Sequence, residues 1–239
     1  MTPEEYDGWY RTPRGSWIGD TEYRLLRELL APLPGESLID VGCGTGYFTR
    51  RFARDRHAVT GIDRDSDMLR FARAHAVAGE RYVPADARRL PFPDRSFDLS
   101  VSVTALCFIR EESQALAEML RVTRRRFAIG LLNRHSLLYH QKGRHGGRGA
   151  YRGAHWHTLA EARALFTGIA ARRLVFSTAV FLPGGKICAR MVEQWLPSNL
   201  PFGAFLVVAG ETFVPSLAEA YEVGQRGNRA RYGTAWELD

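Results

Sequence analysis

From residue 37 to residue 132 the chain alternates short apolar runs with helical patterns, and this alternation restricts its possible folds more than any other feature. Ser37-Leu38-Ile39-Asp40-Val41 reads as a buried strand, and Tyr47 to Ala53 as a helix with Phe48 and Phe52 one turn apart. Ala58 to Ile62 is a second strand, Asp65 to Ala74 a second helix, Arg81 to Val83 a third strand and Asp98 to Val103 a fourth. Ala115, Leu116, Met119 and Leu120 mark a third helix, and Phe127 to Leu132 a fifth strand. Strands separated by helices at this spacing form β-α-β units, hence a parallel sheet covered on both faces. Such crossovers are right-handed, which leaves a doubly wound, mostly parallel α/β fold as the economical topology.

The flanks carry other signals. Residues 1–21 combine aromatics with turn formers (Tyr6, Trp9, Tyr10, Pro13, Gly15, Trp17) and read as an N-terminal lid over positions 1–20. A helical face of Tyr23, Leu26, Leu29 and Leu30 then stops at Pro32-Leu33-Pro34-Gly35. Thr158-Leu159-Ala160-Glu161 is a capping-box spelling that opens a helix through Phe166. Arg173 to Phe181 and Gly203 to Ala209 follow as strands without a crossover helix between them, which predicts an antiparallel closing hairpin.

Composition excludes several classes. A chain of 239 residues with 45% hydrophobic content and a net charge of +7 reads as one soluble globular domain spanning 1–239. No apolar run reaches the roughly 18 residues that a membrane span needs. The acidic start, Met1 to Asp7, lacks the apolar core of a secretory leader, so a cytoplasmic protein is expected. Cys43, Cys107 and Cys188 are odd in number and widely spaced, which argues against a disulfide framework and a zinc knuckle.

The chemistry concentrates in Asp40-Val41-Gly42-Cys43-Gly44-Thr45-Gly46, between a strand and a helix. Glycines there permit a tight turn and let a ligand approach the backbone. Asp63 closes the second strand, where a carboxylate can accept both ribose hydroxyl hydrogens, and Asp86 follows the third. Acids ending neighbouring strands share the carboxyl edge of the sheet, where open α/β folds bind ligands. A dinucleotide fingerprint would read G-x-G-x-x-G, with a pyrophosphate on the helix N-terminus. Here the spacing is G-x-G-x-G with Asp40 before it, which repels phosphate and suits an ammonium group. An amino-acid-bearing nucleoside is the expected ligand.

With these stretches goes Leu90-Pro91-Phe92-Pro93-Asp94-Arg95-Ser96-Phe97-Asp98. Together they resemble the class I S-adenosylmethionine-dependent methyltransferases, in the type 11 group that includes the ubiquinone and menaquinone methyltransferases. The resemblance covers roughly residues 20–132 and implies a seven-stranded Rossmann-like methyltransferase sheet with S-adenosylmethionine as cofactor. It implies that Gly42, Cys43, Gly44 and Gly46 pass the methionine end of that cofactor, with Asp40 at its amino group. By the same resemblance Asp63 holds the ribose, Arg64 and Met68 flank the adenine, and Asp86 and Ala87 read its amino edge. Thr104 lies near the reactive sulfur. One departure is Thr123-Arg124-Arg125-Arg126, where the family commonly has a Pro-Gly-Gly turn.

Acceptor recognition is expected from residues 1–20 and from substrate-side insertions at 133–157 and 182–201, the last also a candidate dimer contact. The 133–157 stretch has Arg134, Lys142, Arg144, Arg148 and Arg152 and no acid, so an acidic small-molecule acceptor is one expectation. The arginines at 121–126 are expected on a solvated helix end. His155 and His157 are candidate catalytic bases, and no metal site is expected because no carboxylate partner stands near them in sequence. The leading expectation is methyl transfer by in-line displacement to a small molecule. The alternatives are an RNA-directed methyltransferase and a non-catalytic nucleic-acid- or cofactor-binding protein. Nucleic acid is disfavoured because Thr104-Ala105-Leu106-Cys107 replaces any N-P-P-Y-type motif after the fourth strand.

Overall fold

The computed structural model describes residues 1–213; the remainder of the 1–239 domain expectation, positions 214–239, lies outside the described residues. Its frame is a seven-stranded sheet in the order β3-β2-β1-β4-β5-β7-β6. The strands are β1 (Ser37–Val41), β2 (Ala58–Asp63), β3 (Glu80–Pro84), β4 (Phe97–Val103), β5 (Thr123–Leu132), β6 (Ala171–Ala179) and β7 (Phe205–Thr212). The first five pair in parallel, and β7 lies between β5 and β6, antiparallel to both. The doubly wound sheet and its antiparallel closure are as the alternation implies.

Central strands are apolar on both sides because helices cover both faces. Leu38, Ile39, Val41, Leu99, Val101, Phe127 and Ile129 are all buried. Register aligns the strand ends: Val41 lies opposite Ile62, Asp63 opposite Pro84, and Val103 opposite Gly130. The loops leaving β1, β2, β3 and β4 therefore meet along one edge.

The N-terminal segment differs from its expected turns. It forms two helices, α1 (Pro3–Trp9) and α2 (Pro13–Leu30). Thr2 and Thr12 are their N-caps, accepting from Glu5 N and Gly15 N, and Pro3 and Pro13 open each first turn. Proline is tolerated there because its missing N–H has no helical partner anyway. The remaining helices are α3 (Tyr47–Arg54), α4 (Ser66–Ala74), α5 (Glu112–Arg121), α6 (Leu159–Ala164) and α7 (Ile187–Trp195). α2 packs across β5, β6 and β7, while α1 reaches α4. A buried ion pair from Asp7 Oδ1 to Arg50 Nη2, 2.5 Å, ties α1 to α3.

Residues 123–126 also differ. They do not extend the helix end; Thr123 begins β5, its hydroxyl donating to Met119 O at 2.6 Å and standing 2.7 Å from the Ser100 hydroxyl. Arg124 pairs with Asp98, and Arg125 with Glu36 through two nitrogens. The 133–157 connection winds through a short π-turn at Tyr139–Gly143 and single turns at Arg144–Gly146 and Gly149–Tyr151. Its basic side chains, Arg134, Lys142, Arg144, Arg148 and Arg152, all face solvent. The 182–201 connection contains α7, held by Glu193, whose carboxylate accepts from Val180 N and Phe181 N. Among the described residues no helix is long and apolar enough to cross a membrane.

Candidate functional site

β1 ends in a loop that side chains would obstruct. Gly42 has φ +78°, and a Cβ there would stand 2.2 Å from the Ala105 Cβ; at Gly46, φ +77°, it would stand 2.2 Å from the Tyr82 hydroxyl. Only glycine combines that conformation with that closeness. Cys43 occupies the same bend, and burial pushes its thiol well above the ordinary range, so the sulfur is an apolar filler.

Three acids surround this loop. Asp40, within β1, is buried and accepts from Thr49 Oγ1 at 2.7 Å. Burial, with a contribution from the Asp63 charge, raises its carboxyl to about 7. Asp63 ends β2 and accepts from Gly44 N at 2.8 Å and Asp65 N at 2.9 Å, so it braces the loop. Asp86 lies just beyond β3 and is held by Arg88, whose Nη2 donates at 2.7 Å and whose backbone N–H donates at 2.9 Å. Those contacts hold the Asp86 carboxyl down at about 2. Arg88 Nη1 also donates to Glu111 at 2.9 Å, latching the loop after β3 to the start of α5. The amino-edge acceptor implied for Asp86 is thus already engaged by a guanidinium.

A cleft of about 440 Å³ joins these elements, lined by Gly42, Asp63, Arg64, Asp86, Ala87 and Thr104. Thr104 has φ +57°, an unusual conformation for a β-branched residue, and its N–H donates to Gly130 O at 2.8 Å. Of the other residues expected at the cofactor, Asp40, Cys43, Gly44 and Gly46 are not among those lining the cleft. Met68, half-buried in α4, is not among the residues lining it. Tyr6, Arg88, Phe108 and Glu111 also line it and were not identified from sequence. A more open depression of about 580 Å³ lies between α2 and α3 among Tyr23, Arg50, Arg51 and Arg54, and contains none of the loop glycines or strand-end acids.

His155 and His157 converge on a carboxylate that sequence reading missed. Glu112 opens α5, and its Oε1 lies 3.1 Å from His155 Nδ1 and its Oε2 2.7 Å from His157 Nε2. The separation of more than forty residues hid this partner. One donor atom from each of the three lies within 4.8 Å of the others, a set chemically able to hold a borderline cation. In the cation-free chain each of these atoms has a hydrogen-bond partner. The remaining His157 nitrogen faces Cys107 Sγ at 3.9 Å, and burial pushes that thiol up to about 12. His157 is fully buried, which suits a clamp on the 133–157 segment better than a solvent-exchanging base.

The sheet order, the glycine bend and the cleft on the carboxyl edge define a Rossmann-like methyltransferase fold of class I. Residues 39–126 match the family model described as a methyltransferase domain. The chain is 40% identical over 91 residues to a malonyl-acyl-carrier-protein O-methyltransferase of Serratia marcescens, covering 38% of this chain and 35% of that protein. It is 35% identical over 104 residues to an uncharacterized methyltransferase of Mycobacterium tuberculosis, covering 43% and 53%. The chain therefore spans about a third to a half of the length of these curated relatives. Among solved structures it resembles a Thermotoga maritima methyltransferase described as a possible histamine N-methyltransferase (TM-score 0.66, 22% identity, 88% of this chain and 96% of that one). It also resembles the magnesium protoporphyrin IX methyltransferase of Synechocystis with bound S-adenosylhomocysteine (TM-score 0.59, 17% identity, 84% and 86%). At these identities the structural likeness shows the fold.

Proposed function

We propose that this chain transfers a methyl group from S-adenosylmethionine to a small-molecule acceptor. The observation that carries the reading is the single cleft in which the glycine bend, Asp63, Asp86 and Thr104 meet. Its volume, about 440 Å³, is that of a small-molecule site. The donor set fits the cofactor: Asp40 is a buried acid with no cation beside it, suited to an ammonium group. Asp63 has lone pairs left for ribose hydroxyls after bracing Gly44 and Asp65. When bound, the cofactor supplies an activated methyl group, and the protein's contribution is alignment and exclusion of water.

Tyr6 of α1 would cover the cleft, with Asp7 anchoring that helix to Arg50. Acceptor entry is assigned to the side bounded by Tyr6 of α1 and the turn after β4, where Phe108 is half exposed. The solvent-facing arginines of the 133–157 segment weaken the expectation of an acidic acceptor drawn from their charge.

Titration calorimetry with S-adenosylmethionine and S-adenosylhomocysteine tests the reading first, followed by a screen of acceptor classes read by S-adenosylhomocysteine formation. Asp63→Ala should weaken S-adenosylhomocysteine by about 10- to 100-fold, the scale of a charge-assisted hydrogen-bond pair. Absence of binding by either nucleoside to the wild-type protein would remove the proposal.

A further inference from the structure

The chain around Trp156 is held by its backbone at both ends. His155 N donates to Cys107 O at 2.7 Å; His157 N donates to Leu132 O at 2.8 Å, and its carbonyl accepts from Arg134 N at 2.9 Å. These bonds join residues 155–157 to the turn after β4 and to the end of β5, with His157 and Asn133 in a parallel bridge. Trp156 is buried, its ring 5.4 Å from both Tyr139 and Tyr151. Residues two apart on extended chain share a side, and the two imidazoles lie next to each other with ring centres 4.1 Å apart.

Both rings meet the Glu112 carboxylate, one on each oxygen, at 3.1 Å and 2.7 Å. The Glu112 side chain is 15% exposed, and among the described residues the ion pairs reaching it come from these two imidazoles. No lysine or arginine there neutralises it, in a chain that has 33 of them. Ligand atoms about 2.0–2.1 Å from a tetrahedral ion stand roughly 3.3 Å from one another. The two hydrogen-bonded separations are close to that value. All three donor atoms lie within 4.8 Å, and His155, 46% exposed in its side chain, has room to turn and close the set. Its exposure also gives an ion a way in, whereas His157 is wholly buried.

Two imidazoles and one carboxylate are a zinc donor set, with a fourth position left for water; magnesium and calcium prefer oxygen alone. An ion on His157 Nε2 leaves the ring proton on Nδ1, where Cys107 Sγ lies at 3.9 Å to accept it. Such outer partners orient ligand histidines. We propose that Glu112, His155 and His157 bind a zinc-class divalent ion that fastens the 133–157 segment to the start of α5. Glu111, the neighbour of Glu112, lines the cleft and is latched to Arg88, so the ion would also brace that wall. The inference stands apart from the methyl-transfer reading and does not depend on it.

The test is calorimetric titration of the untagged, chelator-treated protein with zinc chloride, and separately with magnesium and calcium chlorides. Wild type should take up a single zinc ion in the low micromolar range or tighter, and neither of the other ions at millimolar concentration. His155→Ala, an exposed change checked for folding by circular dichroism, should weaken zinc at least about 100-fold, the upper end of what even outer-shell partners contribute. Glu112→Gln should do the same. Replacing the exposed His135, His140 and His145 together by alanine should leave zinc affinity unchanged. Cobalt should give the visible absorption of a four-coordinate site in wild type and not in His155→Ala. Zinc should slow tryptic cleavage among Arg144, Arg148 and Arg152 in wild type only. The inference is overturned by no zinc binding in wild type, by equal affinity for magnesium, or by binding indifferent to His155→Ala and Glu112→Gln. Loss of binding in the triple histidine variant would mark surface chelation and overturn it too, and zinc binding that leaves cleavage unchanged would overturn the fastening role.

Discussion

Asp40 and Glu22 share an unusual situation, in that each is an acid in apolar surroundings without a cation. The folded protein holds their protons more tightly than the unfolded chain, where they titrate near 3.8 and 4.5 rather than about 7 and about 8. Stability from these groups is therefore complete at low pH and declines as pH rises through the folded values. Thermal melts of the unliganded protein should show a loss on the order of 1–3 kcal/mol between pH 6 and pH 8. Asp40→Asn and Glu22→Gln should each flatten that slope; melts independent of pH in the wild type would contradict the assignment. Ligand binding should show the opposite trend. A cationic amino group needs Asp40 ionised, so S-adenosylhomocysteine affinity should rise about tenfold from pH 6 to pH 8, the change in ionised fraction for a group titrating near 7. Calorimetry on Asp40→Asn should find affinity nearly flat over the same interval, whereas Glu22→Gln should retain the rise.

At the scale of elements, the cleft depends on two clamps that hold chain across the sheet edge. The first is the Asp7–Arg50 pair, which fixes α1 and hence Tyr6; Arg50 also donates to Thr45 O at 2.6 Å within the glycine bend. Asp7→Ala leaves a buried guanidinium without its carboxylate, and urea denaturation should record a loss of about 3 kcal/mol. The second is Glu112 with His155 and His157, binding the 133–157 segment to the start of α5. His157→Ala should cost about 2–3 kcal/mol by cavity formation and a lost charged hydrogen bond. It should also speed tryptic cleavage among Arg144, Arg148 and Arg152; unchanged cleavage would show that the clamp does not restrain the segment. Both clamps were hidden in the sequence for a physical reason. Local signals report neighbours along the chain, whereas Asp7 and Arg50, or Glu112 and His157, meet only after the sheet forms. The helix α1 and the first half of α2 were missed differently: Pro13 and Gly15 were read as turn formers, although a capping threonine followed by proline, as at Thr2-Pro3 and Thr12-Pro13, also opens a helix. The strand-end acids were legible because strand periodicity and the glycine bend place them at the edge without knowledge of any distant contact. Glu22 left one faint sign, an acid among Ile18, Leu25 and Leu29 on a helical face.

For the whole molecule, the net charge of +7 invites a polyanion partner, but the arrangement of the arginines argues against one. Many are paired with carboxylates on different faces: Arg121 with Glu118 and Asp94, Arg124 with Asp98, Arg125 with Glu36, and Arg172 and Arg173 with Glu211. The basic side chains of 133–157 point outward, and Arg134 there meets Glu161 at 3.8 Å. A nucleic-acid groove requires several uncommitted cations along one track, since each neutralised phosphate contributes to the salt dependence of binding. Charge dispersed in this way gives only long-range attraction, which is screened within about 10 Å at 0.1 M salt. Retention on immobilised polynucleotide should therefore be weak at about 50 mM salt and absent by about 200 mM, with a shallow dependence on salt. Methyl transfer to a small acceptor should be insensitive to added RNA at the higher concentration. Binding that persists at about 0.5 M salt, with a slope equivalent to many phosphate contacts, would instead require a cationic track formed by this chain and would favour the nucleic-acid reading over the small-molecule one.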